Sequence, residues 1–412
     1  MDRAAGRDSD HRGNPLVAIG GGSDGRPPGG REAPVVETMW AIRKLRREPG
    51  LELDRVPIPE PGPHDVLVQV EAASVCGTDL HIFKWDDWAK ARIKPPLTLG
   101  HEFAGTVVEM GEDVRTVVRG DYVSESHITC GMCFHCRTGR AHMCERTQIL
   151  GVDRDGAFAE FVVVPESVIW QNDRDKLPPE IATLQEPFGN AVFATSTQDL
   201  PGRTVAVLGC GPVGLFTIAI ARASGAGRVL ASDHVPFRLS LAEALGAEIA
   251  NINEIADVSG WFHDANEGAG LDVVFEMSGA PGAVRDAFRI VRNGGDVVLF
   301  GIPSSPVELD IAESLIFKNL HVTAVNGREV FATWYRTRWL LEHGVVDLRP
   351  LVTHRYPLTE FEVAFAELES GNACKIVLHP GGEPTMPLVS ATPALAAEPE
   401  PMLSGLGKWV HR

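Results

Sequence analysis

The sequence predicts an α/β protein made of a β-rich first part and a doubly wound parallel sheet that follows it. Residues 39–175 contain short strand-like runs punctuated by Gly and Pro, such as the alternating Val66–Glu71. Such runs are typical of a small antiparallel barrel or sandwich. Farther along, helical patterns such as Pro212–Ala223 lie among short apolar strands, which are predicted at Val205–Leu208, Val229–Ser232, Val273–Phe275, Val297–Phe300 and His321–Ala324. This alternation indicates a parallel sheet covered by helices.

Composition and charge limit the function classes. The chain has 412 residues, of which 44% are hydrophobic and 23% charged, as in a globular protein of two or three domains. A net charge of -17 opposes a broad nucleic-acid or anionic-membrane surface, because such surfaces need clustered Lys and Arg. Residues 204–221 carry no charge, but a Gly-Cys-Gly-Pro interruption predicts a strand, a turn and a helix instead of a membrane span.

The two ends of the chain differ from its centre. Residues 1–38 are rich in Gly, Arg, Asp and Pro, and residues 381–412 are rich in Pro, so both are predicted to be disordered tails. No apolar signal-peptide core is expected at the N-terminus, and the cysteine pattern indicates reduced thiols, so we expect a cytoplasmic protein. The predicted domains are a β-rich catalytic domain over 39–186, a nucleotide-binding domain over 187–331, and a return to the first domain over 332–380.

Four cysteines, spaced to fold around one ion, lie within fifteen residues. They are Cys130, Cys133, Cys136 and Cys144. Zn²⁺ favours four thiolates in a tetrahedron, and such a set leaves no open position, so the pattern predicts a structural zinc. The alternative is an iron–sulfur cluster, which the long gap before Cys144 and the absence of Cys-Pro disfavour.

A second, dispersed set of metal-binding residues lies upstream. Cys76, His101 and Glu102 supply one thiolate, one imidazole and one carboxylate. Three protein ligands with one open position are what a catalytic zinc needs, and such a zinc activates a substrate hydroxyl as a Lewis acid. The set is weak alone, because a lone Cys and a Gly-His-Glu occur in many chains. The downstream dinucleotide motif strengthens it.

That motif is Gly209-Cys-Gly211-Pro-Val-Gly214, which follows a strand and opens a helix. Backbone N–H groups at such a helix start can bind a pyrophosphate. Asp233 ends the next strand, where a carboxylate would accept hydrogen bonds from ribose and favour NAD over NADP. The alternative role for Asp233 is a helix N-cap. Arg238 nearby complicates this specificity, since arginine can hold a 2′-phosphate.

Three further polar residues are candidates for moving a proton. Thr78 and His81 follow Cys76 closely, so a hydroxyl and an imidazole could carry a proton to solvent. The alternative is that Thr78 caps a helix and His81 is an ordinary surface residue. Glu186 reads as a buried acid between the domains that approaches the zinc or caps the helix after Pro187.

Taken together, these motifs resemble the zinc-dependent medium-chain alcohol dehydrogenases over about residues 39–379. The motifs shared with the whole family are Cys76-Gly-Thr-Asp, Gly100-His-Glu, the four-cysteine loop and Gly209–Gly214. Narrower motifs are His81–Trp88, His127–Gly131, Glu186–Val192, Glu276–Ala280 and Gly327–Tyr335. These are similar to members that oxidise the C3 hydroxyl of L-threonine, and they differ from sorbitol and butanediol dehydrogenases.

The resemblance implies a GroES-like catalytic domain, a Rossmann domain for NAD, one catalytic and one structural zinc, and a homotetramer. It implies oxidation of L-threonine to 2-amino-3-oxobutanoate, with Thr78 and His81 as proton relay and Glu186 as a residue that assists it. The implied NAD-binding positions are Gly209, Gly211, Val213, Gly214, Asp233, Arg238, Phe300, Gly301, Ile302, Ala324 and Val325. Arg328 and Glu329 are candidates for binding the carboxylate and ammonium of the substrate.

Other functions stay open at this stage. A polyol or 2,3-diol dehydrogenase would use the same metal residues, and an inactive relative would act as an NAD-binding scaffold. A zinc-ribbon nucleic-acid binder fits the cysteine loop alone but not the charge or the dinucleotide motif. Met39 aligns with the usual start of the family, so residues 1–38 are expected to be an extension or to reflect a misassigned start codon.

Overall fold

Two large β-sheets and one small one organise the fold in the computed structural model, which describes residues 37–382. The predicted tails therefore lie outside the described residues, apart from residues 37, 38, 381 and 382. The strands of the first part are β1 (Thr38–Lys44), β2 (Glu52–Pro57), β3 (Asp65–Ser74), β4 (Leu97–Thr98), β5 (Phe103–Met110), β6 (Tyr122–Glu125), β7 (Phe161–Pro165) and β8 (Ile169–Gln171). Its helices are α1 (Gly77–Lys84), α2 (Asp87–Arg92), α3 (Phe134–Arg137), α4 (Pro179–Ala182) and α5 (Gln185–Ser196).

The second part alternates strand and helix as predicted. Its elements are β9 (Thr204–Leu208), α6 (Pro212–Ala223), β10 (Arg228–Asp233), α7 (Pro236–Ala244), β11 (Glu248–Asn251), α8 (Val258–Ala265), β12 (Leu271–Glu276), α9 (Pro281–Ile290), β13 (Val291–Leu299) and β14 (His321–Ala324). The described part of the chain ends with α10 (Ala332–Glu342), β15 (Val352–Pro357), α11 (Phe361–Ser370) and β16 (Lys375–His379).

All neighbouring strands of the second part are parallel, in the order β11-β10-β9-β12-β13-β14. The strand order reverses between β9 and β12, and a crevice at such a point is where doubly wound sheets bind ligands. The predicted fold class is confirmed. Among the described residues, no helix has the length and apolarity that a bilayer crossing requires.

The seven-stranded sheet of the first part includes β15 and β16, the last two strands within residues 37–382. Its order is β15-β16-β3-β5-β6-β8, with β7 paired to β3. Within it β16 runs antiparallel to β3, whereas β15 and β16 are parallel to each other. A strand that is nearly last in the sequence therefore lies next to the loop that carries Cys76. The small sheet has the order β2-β1-β4.

Candidate active site

The three dispersed metal-binding residues come together at one end of β3 and β5. Cys76 precedes α1, and His101 and Glu102 precede β5. One donor atom from each lies within 4.8 Å of the other two. Zinc binds thiolate sulfur, imidazole nitrogen and carboxylate oxygen at about 2.0–2.3 Å, so donors this close can share one ion. The donor set therefore fits a catalytic zinc.

A ring of neighbouring polar groups orients these donors. The Cys76 N–H donates to the Asp79 carboxylate over 2.9 Å, and the other Asp79 oxygen lies 3.9 Å from His101 Nδ1. Burial raises the pKa of Asp79 to about 6, while the adjacent His101 ring opposes that rise. Partners of this kind fix the direction of a ligating side chain. Sequence reasoning missed Asp79, although it stands three residues beyond Cys76.

Glu102 is held through only one of its two oxygens. Its Oε2 accepts hydrogen bonds from the Ser74 hydroxyl and from the Lys375 ammonium group. Its Oε1 is buried and has no hydrogen-bond partner within residues 37–382. An orphaned buried carboxylate oxygen beside a thiolate and an imidazole is the donor that a cation would take. Lys375 lies on β16, so sequence proximity gave no signal for it.

The four-cysteine loop forms a second, closed set of donors. All four sulfurs lie within 4.8 Å of one another, with Cys133 and Cys136 at 3.6 Å and Cys130 and Cys136 at 4.0 Å. Tetrahedral Zn–S bonds of about 2.3 Å place sulfurs roughly 3.8 Å apart, so the set fits zinc. The backbone N–H groups of Met132 and Cys133 lower the pKa of Cys130 to about 6, which favours the thiolate.

Glu186 pairs with a buried arginine near these donors. The Arg328 guanidinium donates to Glu186 Oε1 over 2.5 Å, and His127 Nε2 lies 3.5 Å from the same oxygen. Burial alone would raise the pKa of Glu186, but Arg328 lowers it to about 2. A Cβ on Gly189 would lie 2.6 Å from the Arg328 side chain, so the glycine makes room for the pair. The N-cap of α5 is Leu184, not Glu186.

The two candidate relay residues lie on α1. The Cys76 thiol lies 3.8 Å from Thr78 Oγ1, to which it donates. His81 stands three positions later, on the same helix face, and its Nδ1 lies 2.5 Å from Asp86 Oδ2. The His81 side chain is 60% exposed, so a proton on this ring can reach solvent. Sequence reasoning missed Asp86, whose other oxygen caps α2 by accepting from the Ala89 N–H.

The glycines of the dinucleotide motif have separate roles. Gly209 has a φ of +99°, and a Cβ there would lie 2.7 Å from the Ser278 side chain. A Cβ on Gly214 would lie 2.0 Å from the Gly209 carbonyl oxygen, so the helix packs tightly against the turn. A Cβ added to Gly211 would have no atom within 4 Å, apart from those of its chain neighbours. This open space at the start of α6 is where a pyrophosphate could approach the backbone.

Asp233 braces the same turn from the end of β10. Its carboxylate accepts the N–H groups of Cys210, His234 and Val235 over 2.7, 2.7 and 2.9 Å. The N-cap of α7 is Val235, so the alternative that Asp233 caps that helix does not describe the structure. Arg238, in the first turns of α7, has a buried Nε with no hydrogen-bond partner among the described residues.

The remaining predicted NAD positions lie at the ends of β13 and β14 and at the start of α6. Phe300, Gly301 and Ile302 follow β13, and a Cβ on Gly301 would lie 2.1 Å from the Gly279 nitrogen. Ile302 is 88% exposed at this edge. Ala324 and Val325 lie at the end of β14, and Val213 lies on α6. Parallel strands bind ligands at this edge, so these positions are brought together with the glycine turn.

The Glu276 carboxylate supports the carboxyl-terminal edge of the parallel sheet. The sequence alone assigned it no role. Glu276 is buried at the end of β12, and its Oε1 accepts the N–H and hydroxyl of Ser278 and the N–H of Gly279. These bonds hold the loop that faces Gly209. The motif Glu276–Ala280 pointed to the segment but not to this function.

Comparisons with known proteins agree with this geometry. The sequence model of the alcohol dehydrogenase GroES-like domain matches residues 62–174, and that of the zinc-binding dehydrogenase matches residues 212–342. L-threonine 3-dehydrogenase of Symbiobacterium thermophilum is 48% identical over 348 residues, covering 84% of this chain and 99% of the relative. That of Bacillus subtilis is 44% identical over 343 residues, covering 83% and 99%.

A solved structure shows the same architecture. The crystal structure of 2R,3R-butanediol dehydrogenase from Bacillus subtilis has a TM-score of 0.75 and 29% identity, covering 83% of this chain and all of that one. Both parts of the chain, both cysteine-bearing metal sites and the dinucleotide edge are thus accounted for together. The chain belongs to the zinc-dependent medium-chain alcohol dehydrogenases and is an NAD-dependent zinc enzyme.

Proposed function

We propose that this chain oxidises the C3 hydroxyl of L-threonine with NAD⁺, giving 2-amino-3-oxobutanoate. The observation that carries the proposal is similarity along nearly the whole length of L-threonine 3-dehydrogenases, at 48% identity to one of them. The intact set of Cys76, His101 and Glu102 opposes the alternative of an inactive NAD-binding relative.

In this proposal the chain's own residues hold the substrate hydroxyl and remove its proton. Cys76, His101 and Glu102 would hold zinc, which supplies a Lewis acid that makes a bound hydroxyl more acidic. Thr78 accepts the hydroxyl proton and passes its own to His81, and Asp86 stabilises the imidazolium that results. The glycine turn and Asp233 would hold NAD⁺, which would supply the acceptor for the hydride from C3.

A substrate panel tests the activity. Purified enzyme with NAD⁺ is given L-threonine, 2,3-butanediol or sorbitol, and NADH formation is followed by absorbance. We expect kcat/KM to be highest for L-threonine. A higher value for butanediol would instead support the diol dehydrogenase alternative, which the fold shared with 2R,3R-butanediol dehydrogenase keeps open.

We infer further that four chains assemble and that the protein is cytoplasmic. The edge strand β14 and the segment before it present exposed apolar side chains, among them Ile316, Phe317 and Val322. An unpaired edge with apolar residues favours pairing with another chain. Light scattering should give about four times the 44.5 kDa of one chain, and Phe317→Asp should lower it. Fractionation of expressing cells tests the compartment.

A further inference from the structure

One buried acid near the metal donors has no role in the chemistry described above. Glu125 is the last residue of β6 and is 2% exposed. Neither carboxylate oxygen has a hydrogen-bond partner in the described part of the chain. Buried carboxyl groups are nearly always paired, because an unpaired one loses its hydration without compensation. Because burying the unpaired Glu125 carboxyl group costs desolvation free energy, its presence indicates that a ligand pairs with it.

Glu125 leads directly into the segment that contacts the Glu186–Arg328 pair. Side chains alternate along β6, so Glu125 points away from Ser124, and His127 follows two residues after the strand ends. His127 Nε2 lies 3.5 Å from Glu186 Oε1, which in turn accepts from Arg328. The opposite side is fixed by Ser124, whose hydroxyl donates to the Ala182 carbonyl.

The charges around Glu125 agree with this placement. Burial raises the pKa of Glu125 well above its ordinary value, the Glu186 carboxylate adds to the rise, and Arg328, His101 and Arg154 oppose it. Glu186 already has Arg328 as its cation, so the two acids share one buried arginine. The site therefore lacks one cation beside Glu125.

L-Threonine carries such a cation. Its ammonium group is on the carbon next to the one that bears the reacting hydroxyl, so it must lie close to the donors Cys76, His101 and Glu102. We propose that Glu125 binds the ammonium group of the substrate and thereby selects 2-amino-3-hydroxy acids over simple secondary alcohols. The inference rests on the proposed function. Glu125 releases its proton to solvent as the ammonium group enters, which leaves a neutral pair.

The test compares Glu125→Gln with the wild type on substrates with and without an amino group. L-Threonine and 1-amino-2-propanol carry the ammonium group, whereas (R)-3-hydroxybutanoate and 2,3-butanediol do not. Each compound is measured as a substrate with NAD⁺ and, where turnover is absent, as a competitive inhibitor of threonine oxidation. We expect the variant to weaken the amino compounds roughly 10- to 100-fold, as for lost charged hydrogen bonds, and the other two by less than about threefold.

An equal loss on all four compounds would overturn the inference, because Glu125 would then only support the Glu186–Arg328 pair. No loss on any compound would overturn it as well. Glu71→Gln is the control, since this acid on β3 already pairs with Arg174 and Thr106. It should change no substrate by more than about twofold.

Two further measurements distinguish a failure of this inference from a failure of the proposed function and from misfolding of the variant. If the wild type does not oxidise L-threonine, the proposed function fails before the variant is considered. If thermal melting shows that Glu125→Gln does not fold, Glu125→Asp takes its place. The shorter acid should weaken the amino compounds selectively, and a uniform effect would again overturn the inference.

Discussion

At the scale of single residues, the convergence of the candidate metal donors could be predicted from sequence, but most of their hydrogen-bond partners could not. The spacing of the four cysteines and the Gly-His-Glu motif were sufficient, because ligand types and short gaps carry the chemistry. Lys375 contacts Glu102 across 273 positions of sequence, and only the pairing of β16 with β3 brings them together. No local pattern marks such a residue.

Replacing Lys375 by Met should destabilise the protein. Lys375 is 2% exposed and forms an ion pair with the fully buried Glu102, so in the metal-free protein its removal leaves the Glu102 carboxylate without a charged partner. Breaking a buried pair in this way costs about 3–5 kcal/mol. Urea unfolding would measure this loss. Lys90→Met is the matched control, because its pair with Asp87 is exposed to solvent and its removal should change the stability far less. Equal costs for the two variants would contradict the expectation.

Asp233→Ala should weaken NAD binding and relax the preference over NADP. The carboxylate accepts the Cys210 N–H of the glycine turn and the N–H groups of His234 and Val235 after β10, and the substitution removes all three bonds along with the negative charge. We expect kcat/KM for NAD⁺ to fall about 10- to 100-fold, since hydrogen bonds to charged groups contribute about 1.5–3 kcal/mol. The value for NADP⁺ should fall less. If the ratio of kcat/KM for NAD⁺ to kcat/KM for NADP⁺ did not change, Asp233 would only stabilise the turn and would not select the cofactor.

At the scale of elements, the bounds of a parallel strand were predicted well where the strand consists of one run of apolar residues. The strand β14 was predicted with its observed bounds, and β9 and β10 within two residues. The strand β13 was predicted as 297–300 but begins at Val291. After Val291 its first half contains the exposed run Arg-Asn-Gly, where the register with β12 shifts, so no hydrophobic pattern marks it.

The start of the parallel sheet depends on Asp272, which joins three strands. Its carboxylate accepts the N–H and hydroxyl of Thr204 on β9, each over 2.7 Å, and pairs with Arg292 on β13. Burial would raise the pKa of Asp272, but the Thr204 bonds and the arginines hold it below its ordinary value. Stability from such a group is present above the unfolded pKa and is lost as pH falls through the lower folded pKa.

Asp272→Asn should therefore lower the free energy of unfolding at pH 7 by about 1–3 kcal/mol. The difference from the wild type should shrink below pH 4, where the unfolded carboxyl is protonated, and nearly vanish below the folded pKa. Denaturant melts at several pH values measure this. A difference that stayed constant down to the lowest pH would show that geometry, not charge, carries the contribution.

At the scale of the whole molecule, the fold class followed from the change in pattern between the two halves of the chain. We propose the domain boundaries 39–186, 187–331 and 332–380, and the sheet order supports the last of these because β15 and β16 pair beside β3. The return to the first domain was predicted from sequence, but the pairing of β16 with β3 was not, since nothing in the sequence of β16 identifies its neighbouring strand.

Removal of zinc should proceed in two steps. The site of Cys76, His101 and Glu102 has three protein donors and an open position, whereas the four-cysteine site is closed. A mild chelator should therefore remove one zinc per chain and abolish activity with little change in melting temperature. Loss of the second zinc should lower the melting temperature. Metal analysis, activity and calorimetry on the same samples follow both steps, and simultaneous loss of both ions would contradict the assignment.

The placement of Lys375 also bears on biosynthesis. Because β16 is the last described strand, the cation that secures Glu102 leaves the ribosome only after almost all of the folded chain has been made. Maturation of the upstream metal centre is then a late event in translation, and a prematurely terminated chain lacks it. A chain stopped after residue 370 should retain one zinc where the complete protein retains two, and two in the shortened product would show that the centre matures without its final strand.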